Sequence, residues 1–252
     1  MLGDVLPQEA YGFILVSIRL TALVMFVPVL GDRSIPVRVR SAFAFSVSLV
    51  VYLAIREELP GMPPGLFDLL GLLIREFSVG LVLGLMMRFL MSSVHTAGTV
   101  IAFQSGLAAA QAFDPAQGQQ SAAVAALLNL IAITLILTTD LHHLMIQGMT
   151  HSFYKFPIGE ALQVADFASM ATNLLASSFL LGFQMASPFI VYGLVYNLGL
   201  GLLARMVPGF QVFFIGMPVN IFMGFTLLMF LLASLMTLFL GRFEELLTSM
   251  IG

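Results

Sequence analysis

Long stretches of this chain carry no charged residue. Residues 20–31, 41–55, 77–87, 115–139, 167–204 and 206–241 lack Asp, Glu, Lys and Arg. The apolar positions do not follow the strict alternation of a lipid-facing barrel strand, so the segments are expected to be helices. The pattern predicts helices near 10–31, 41–55, 67–95, 96–112, 121–148, 165–204 and 218–241. Turn-forming residues separate most of them: Asp32–Pro36, "LPGMPPG" at 59–65, Asp114–Pro115, "FPIG" at 156–159 and Pro208–Pro218.

Composition sets the surroundings of these helices. Hydrophobic residues make up 60% of the chain and charged residues only 9%, with a mean hydropathy of +1.03. A soluble domain carries about 25% charged residues, so this chain lacks the polar surface to face water all round. The reading is an all-α, polytopic membrane protein, with about 20 apolar residues needed per span. No repeat or shift in composition marks a boundary, and residues 1–252 are expected to form a single membrane domain. The start, "MLGDVLPQEAYG", has no basic segment, so no cleavable signal peptide is expected. Cysteine is absent, which excludes disulfides and thiol chemistry. A net charge of −3 offers nothing to nucleic acid.

Orientation follows from basic residues in short loops. Arg33, Arg38 and Arg40 cluster between the first two expected helices, which puts that loop in the cytoplasm and Asp4 and Glu9 outside. Alternation then places Lys155 and Arg242 inside, against Arg56 and Arg205 outside, and the C-terminus in the cytoplasm. Two features suit a lipid-facing bundle poorly. Trp is absent and only five Tyr are present, so the interfacial aromatic belt is thin. A helix over 167–204 would also run roughly 57 Å, well beyond the hydrocarbon thickness. Pro188 is expected to kink it.

Charges inside the apolar segments are the first candidates for function. Arg19 lies within "FILVSIRLTALVMFVPVLG", and "LIREFSVGLVLGLMMRF" adds Arg75, Glu76 and Arg88. Ionisable groups at such depth need a partner or a water-filled path. Arg75 and Glu76 diverge by about 100° around a helix, so Arg19–Glu76 is the expected pair. It reads as a structural ion pair between helices in preference to transport chemistry. Gly80 and Gly84 form a G-x-x-x-G, and Gly199 and Gly201 make a second smooth patch. Such surfaces serve subunit assembly or packing within the chain.

"DLHHLM" at 140–145, with His151 and Glu160 downstream, is the cluster closest to a metal or enzyme site. Asp140 and His143 would share a helix face. There is no H-E-x-x-H, no second acid at ligand spacing and no nucleophile motif, so no metal, cofactor or catalytic residue is expected. Lys155 is the chain's single Lys and no G-x-x-x-x-G-K occurs, which leaves the energy for any transport to another component.

Five stretches together resemble a known family. They are "RLTALVMFVPVLGDRSIPVRVRSAFAFSVSL" (19–49), "REFSVGLVLGLMMRF" (75–89), "AGTVIAFQSGLAAAQAFDPAQGQQS" (97–121), "GMTHSFYKFPIG" (148–159) and "ARMVPGFQVFFIGMPVNIFMGF" (204–225). In this order and spacing they resemble the FliR family of the flagellar type III secretion export gate. The resemblance implies helical hairpins that assemble with FliP-like and FliQ-like subunits into a pseudo-ring gate and work with FlhB-like and FlhA-like components. It further implies transient passage of unfolded flagellar subunits, driven by proton motive force and a separate ATPase complex. The setting it implies is the bacterial inner membrane at the flagellar basal body, with assembled subunits largely out of the bilayer plane. Injectisome counterparts share the fold; "PVLGDRSIPVRVR" and "SFYKFPIG" look more flagellar.

The resemblance also implies a role for "GLAAAQAFDPAQGQQ" at 106–120, as a plug in the closed channel. Its members would be Gly106, Leu107, Gln111, Phe113, Asp114, Pro115 and Gln117. The composition suits such a part. Glycine and alanine permit close packing and rearrangement, and glutamine tolerates both water and protein. Pro115 pushes the preceding residue out of the helical region, and Phe113 would be the apolar stopper. The alternative is an ordinary re-entrant turn. Two other functional classes stay in view. A small-solute secondary transporter would use discontinuous helices at Pro188 and Pro208–Pro218, but inverted repeats and convergent polar groups are missing. An intramembrane enzyme would have to be built around Asp140 and His143.

Overall fold

An apolar chain must satisfy its backbone polar groups internally, and a helix does this within one segment. The computed structural model describes residues 2–31, 35–107, 120–159, 164–207 and 212–251. Seven α-helices run through them: α1 (Leu2–Val24), α2 (Val37–Ile55), α3 (Leu66–Gln104), α4 (Gln120–Thr138), α5 (Leu141–Lys155), α6 (Val164–Met206) and α7 (Val212–Ile251). A 3₁₀ turn, Arg56–Glu58, extends α2, and the described residues contain no strand.

Several helix ends differ from the sequence reading, each for a local reason. The first helix stops at Val24, short of 31. Pro28 cannot donate to the preceding turn and disfavours a helical conformation at Val27. Val29 there takes a left-handed φ of 73°. The expected helices 67–95 and 96–112 are one continuous helix of 39 residues. Gly98 lies within it, and a lone glycine costs a helix only about 1 kcal/mol. Its role is close approach: a Cβ on Gly98 would lie 2.5 Å from Ala125 Cα in α4. The expected helix 121–148 instead breaks between α4 and α5. Asp140 sits at that break in the left-handed region, φ 60°, which Asp tolerates better than most side chains. The last helix extends well past both expected ends and contains Pro218. Arg242, Glu244 and Glu245 end the apolar run but are good helix formers.

Helices α3, α6 and α7 have 39, 43 and 40 residues, or about 58, 64 and 60 Å, roughly twice the hydrocarbon thickness of a bilayer. Within α6, Pro188 leaves the Gln184 carbonyl without its usual donor, and Ser187 Oγ supplies one at 2.8 Å. Among the described residues, four helical segments are long and apolar enough to cross a membrane: Val37–Glu58, Leu66–Gln104, Phe167–Met206 and Phe214–Ile251. The bent pair Ala123–Thr138 and Leu141–Lys155 makes a fifth if it counts as one span. This is a multi-pass membrane protein. The alternation that put Lys155 and Arg242 beside Arg33 assumed a crossing boundary near 96, which the continuous α3 removes.

The chain divides into two compact units. The first comprises Met1–Phe89, Thr139–Leu175 and Phe243–Gly252. Its core joins Leu15, Leu20 and Leu23 of α1 with Val79, Leu83 and Met87 of α3, Met149 and Phe153 of α5, and Phe243 and Leu247 of α7. Within it, α2 packs on α1 through Phe13, whose ring meets Phe45 and Tyr52 edge-on at 5.4 and 5.9 Å. The second unit comprises Leu90–Thr138 and Ala176–Arg242. Leu128, Ala132 and Ile136 of α4 recur there at helical spacing, with Ile101 of α3, Met185 and Phe189 of α6, and Met236 and Phe239 of α7. Its α6 and α7 also leave large apolar side chains exposed, among them Val191, Leu194, Val195, Leu198, Phe222 and Phe230.

Candidate functional site

The first unit is centred on a charge. Arg19 lies on the core face of α1 and is fully buried, as is Glu76 of α3. Arg19 Nε donates to Glu76 Oε2 at 2.6 Å, and Nη2 lies 2.5 Å from the same oxygen. The rest of the guanidinium serves the end of α5. Nη1 donates to the Ser152 carbonyl and Nη2 to the Phe156 carbonyl, both at 2.8 Å. The Ser152 carbonyl also accepts the Phe156 N–H at 3.0 Å. The end of a helix is its negative pole, so a buried cation there is favoured as well as hydrogen-bonded. The Phe153 ring lies 4.2 Å below the guanidinium carbon.

Arg75 reaches the same segment from the other side of α3, donating Nη2 to the Pro157 carbonyl at 2.7 Å. "FPIG" at 156–159 is thus held by two arginines through backbone oxygens, contacts that side-chain spacing alone does not reveal. Glu76 Oε1 and two further Arg75 nitrogens are buried without a hydrogen-bond partner among the described residues. Arg88, expected among the buried charges, is exposed. The buried stripe of α3 runs through Val79, Leu83, Met87 and Leu90, and Arg88 falls outside it, 5.8 Å from the Phe26 ring.

Gly80 and Gly84 face α1 of the same chain. A Cβ on Gly80 would collide with the Arg19 carbonyl oxygen, and one on Gly84 would lie 2.8 Å from the Leu23 carbonyl oxygen. This G-x-x-x-G therefore packs the helix that carries Arg19 against the helix that carries Glu76. Gly199 and Gly201 differ: nothing lies within 4 Å of a Cβ at either position.

The second unit has its own polar centre, where α3 ends. Gly106 takes φ +74°, the left-handed conformation of a helix-terminating glycine. Just before it, the Gln104 carbonyl accepts a hydrogen bond from Asn220 Nδ2 at 3.4 Å. Tyr192 donates its hydroxyl to Asn220 Oδ1 at 2.7 Å, and Tyr196 donates to the Gly216 carbonyl at 2.5 Å. Glycines permit the approach. A Cβ on Gly193 would clash with the Gln104 side chain, and one on Gly224 would lie 2.5 Å from Ser105 Cβ. Gly106 and Leu107 are the described members of the expected plug. Gln111, Phe113, Asp114, Pro115 and Gln117 lie outside the described residues.

Comparison with known proteins agrees with this architecture. A family model described as "Bacterial export proteins, family 1" matches residues 10–246. The chain is also 38% identical over 239 residues to the flagellar biosynthetic protein FliR of Caulobacter vibrioides, covering 95% of each chain. The chain belongs to the FliR family of bacterial export proteins. Proteins of the same name from Escherichia coli and Bacillus subtilis are 34% and 31% identical to it. Those matches cover 84% and 86% of this chain, and 80% and 84% of the relatives.

Sequence reasoning about this FliR-family chain missed Tyr192, Tyr196 and Asn220. A signal was present: each is a hydrogen-bonding side chain inside an uncharged helical run, where an unpaired polar group is costly. The histidine cluster is positioned as its spacing suggested. Asp140 and His143 approach to 3.4 Å, and Asp140, His142 and His143 each bring one ligand atom within 4.8 Å of the others. His151 stands apart, 5.9 Å from the Tyr154 ring, and Glu160 lies outside the described residues.

Proposed function

We propose that this FliR-family chain is a structural and gating subunit of the flagellar type III protein export channel. Near end-to-end similarity to proteins named flagellar biosynthetic protein FliR carries the reading. It is a component of the flagellar export apparatus, and the flagellar names of these relatives favour that setting over an injectisome. Its work is non-enzymatic. It assembles with FliP-like and FliQ-like subunits, acts with FlhB-like and FlhA-like components, and passes unfolded flagellar proteins.

The structure supports assembly in two ways. Helices of about 58–64 Å exceed what a bilayer covers, and the exposed apolar faces of α6 and α7 need a neighbour wherever lipid does not reach them. Residues 106–120 act as the plug, with Phe113 as the apolar stopper. A pore wide enough for an unfolded chain dissipates the membrane potential unless it is shut at rest, and apolar constrictions exclude ions by dewetting.

Deleting 108–117 tests the reading. The complex is expected to assemble with its two hydrophobic partners, while cells become permeable to small ions and grow slowly. Phe113→Ala gives a milder form of the same defect. A deletion complex that assembles and keeps parental membrane conductance rules out the plug. A tagged chain that purifies alone, as a monomer or dimer, rules out the gate.

A further inference from the structure

The break before α5 gathers three metal-binding side chains. Asp140 occupies the N-cap position of α5, where an aspartate ordinarily bonds a backbone N–H of the first turn. Here its side chain makes no capping hydrogen bond. With the Asp140 backbone in the left-handed region, φ 60°, the carboxylate lies beside the helix instead, and Oδ1 is 3.4 Å from His143 Nδ1. Adjacent helical side chains diverge by about 100°, yet the His142 and His143 rings lean together, with centroids 4.1 Å apart. One ligand atom from each of the three residues lies within 4.8 Å of the other two. His142 Nδ1 is shut from solvent without a hydrogen-bond partner among the described residues, a costly state for a ring nitrogen.

Two imidazoles and a carboxylate make a donor set for borderline divalent cations, Zn²⁺ above all. Zinc ligands lie about 2.0–2.2 Å from the metal, and so about 3.3–3.6 Å from one another in a tetrahedron. The Asp140–His143 pair stands at that spacing, and rotation of the His142 side chain closes the rest. An incoming ion has access, because the Asp140 and His143 side chains are 77% and 66% exposed. Spacing along the sequence gave no such expectation, since it looks for ligands on one face of one helix. The left-handed turn at Asp140 supplies the convergence.

We propose that Asp140, His142 and His143 bind a borderline divalent transition cation, Zn²⁺ first among them, which pins the first turn of α5. The far end of that helix is held by other means. Arg19 and Arg75 bond the Ser152, Phe156 and Pro157 carbonyls, and Lys155 Nζ donates to the Ser249 carbonyl at 2.6 Å. The cation gives the N-terminal end an anchor of its own, with water in the fourth position that three protein ligands leave open.

The full chain tests this, carrying a tag without histidine and purified in mild detergent with the subunits it retains. After chelator treatment, the parent should rebind one Zn²⁺ per chain more than a variant with both His142→Asn and His143→Asn. Co²⁺ in its place should give the visible bands of a tetrahedral site with nitrogen ligands. Asp140→Asn, His142→Asn and His143→Asn should each weaken binding by more than the about 10- to 100-fold that an outer-shell change costs. His151→Asn should leave it unchanged. Zn²⁺ should also raise the heat-clearance midpoint of the parent and not that of the double variant.

Equal Zn²⁺ retention by parent and double variant would mean an adventitious ion only and would reject the site, as would a parent that takes up neither metal. Binding without a shift in midpoint would overturn the anchoring of α5. Should the double variant fail to accumulate, the single variants and the parent's Co²⁺ spectrum decide, and an octahedral spectrum with oxygen ligands alone rejects the site.

Discussion

Arg19 and Glu76, 57 residues apart in sequence, meet at 2.6 Å in a site closed to solvent, and the same guanidinium caps the end of α5. Replacing a buried ion pair with apolar side chains is often nearly neutral, but breaking one strands a charge. The arrangement therefore acts mainly as a specification. It sets the register of α1 on α3 and fixes where α5 ends.

Arg19→Leu should destabilise the first unit by about 3–5 kcal/mol, since it strands Glu76 and takes a donor from the Phe156 carbonyl. Glu76→Gln should cost less, because Arg19 keeps both carbonyls. Combining the two should recover part of the loss, the part due to the stranded carboxylate. Heat-clearance midpoints of the tagged complex in mild detergent measure this. Equal midpoints for Arg19→Leu and the parent would show that the pair carries no structural weight.

Arg88 offers a contrast among the charges of α3. It is exposed and lies 5.8 Å from the Phe26 ring, so Arg88→Gln should shift stability by no more than about 0.5 kcal/mol. Arg75→Gln should cost more, since it removes the donor to the Pro157 carbonyl. The same heat-clearance assay ranks them, and the reverse order would contradict the assignment.

The glycines should divide in the same way. Gly80→Ala and Gly84→Leu drive side chains into the backbone of α1, so chain levels in the membrane should fall even before partners are added. Gly199 and Gly201 have open space around them. Alanine at either should be neutral or stabilising within the chain, by up to about 1 kcal/mol from helix propensity. Leucine there should leave the chain intact and impair complex formation if a partner helix lies against that patch. Native gel mobility separates loss of chain from loss of complex.

Tyr52 lies in an apolar run. The structure gives the hydroxyl a specific partner, because buried Tyr52 donates to the Glu9 carboxylate. Tyr52→Phe should therefore cost about 1 kcal/mol, and Tyr52→Ala about 3–5 kcal/mol through the cavity left beside Phe13. Limited proteolysis of α1 reports the change, and identical digestion of parent and Tyr52→Phe would discount the bond.

Certain features were settled by the order of residues alone. Uncharged runs with no alternating pattern can satisfy their backbone only as helices, so the all-α class follows from local chemistry. The pairing of Arg19 with Glu76 was also within reach, because a deeply placed charge must find an opposite one and Arg75 points elsewhere. Tertiary structure decided what depends on neighbours. It kept α3 continuous through Gly98, since a small helical penalty is met by close contact with Ala125. It turned Gly80 and Gly84 toward Arg19 and Leu23 of the same chain, where sequence had left a partner subunit equally open. It recruited Asn220 and Tyr192 to the end of α3, more than 80 residues back along the chain. Helical periodicity gives the face on which a side chain lies, but not which distant backbone carbonyl lacks a donor. That lack appears only once the helix ends have been brought together.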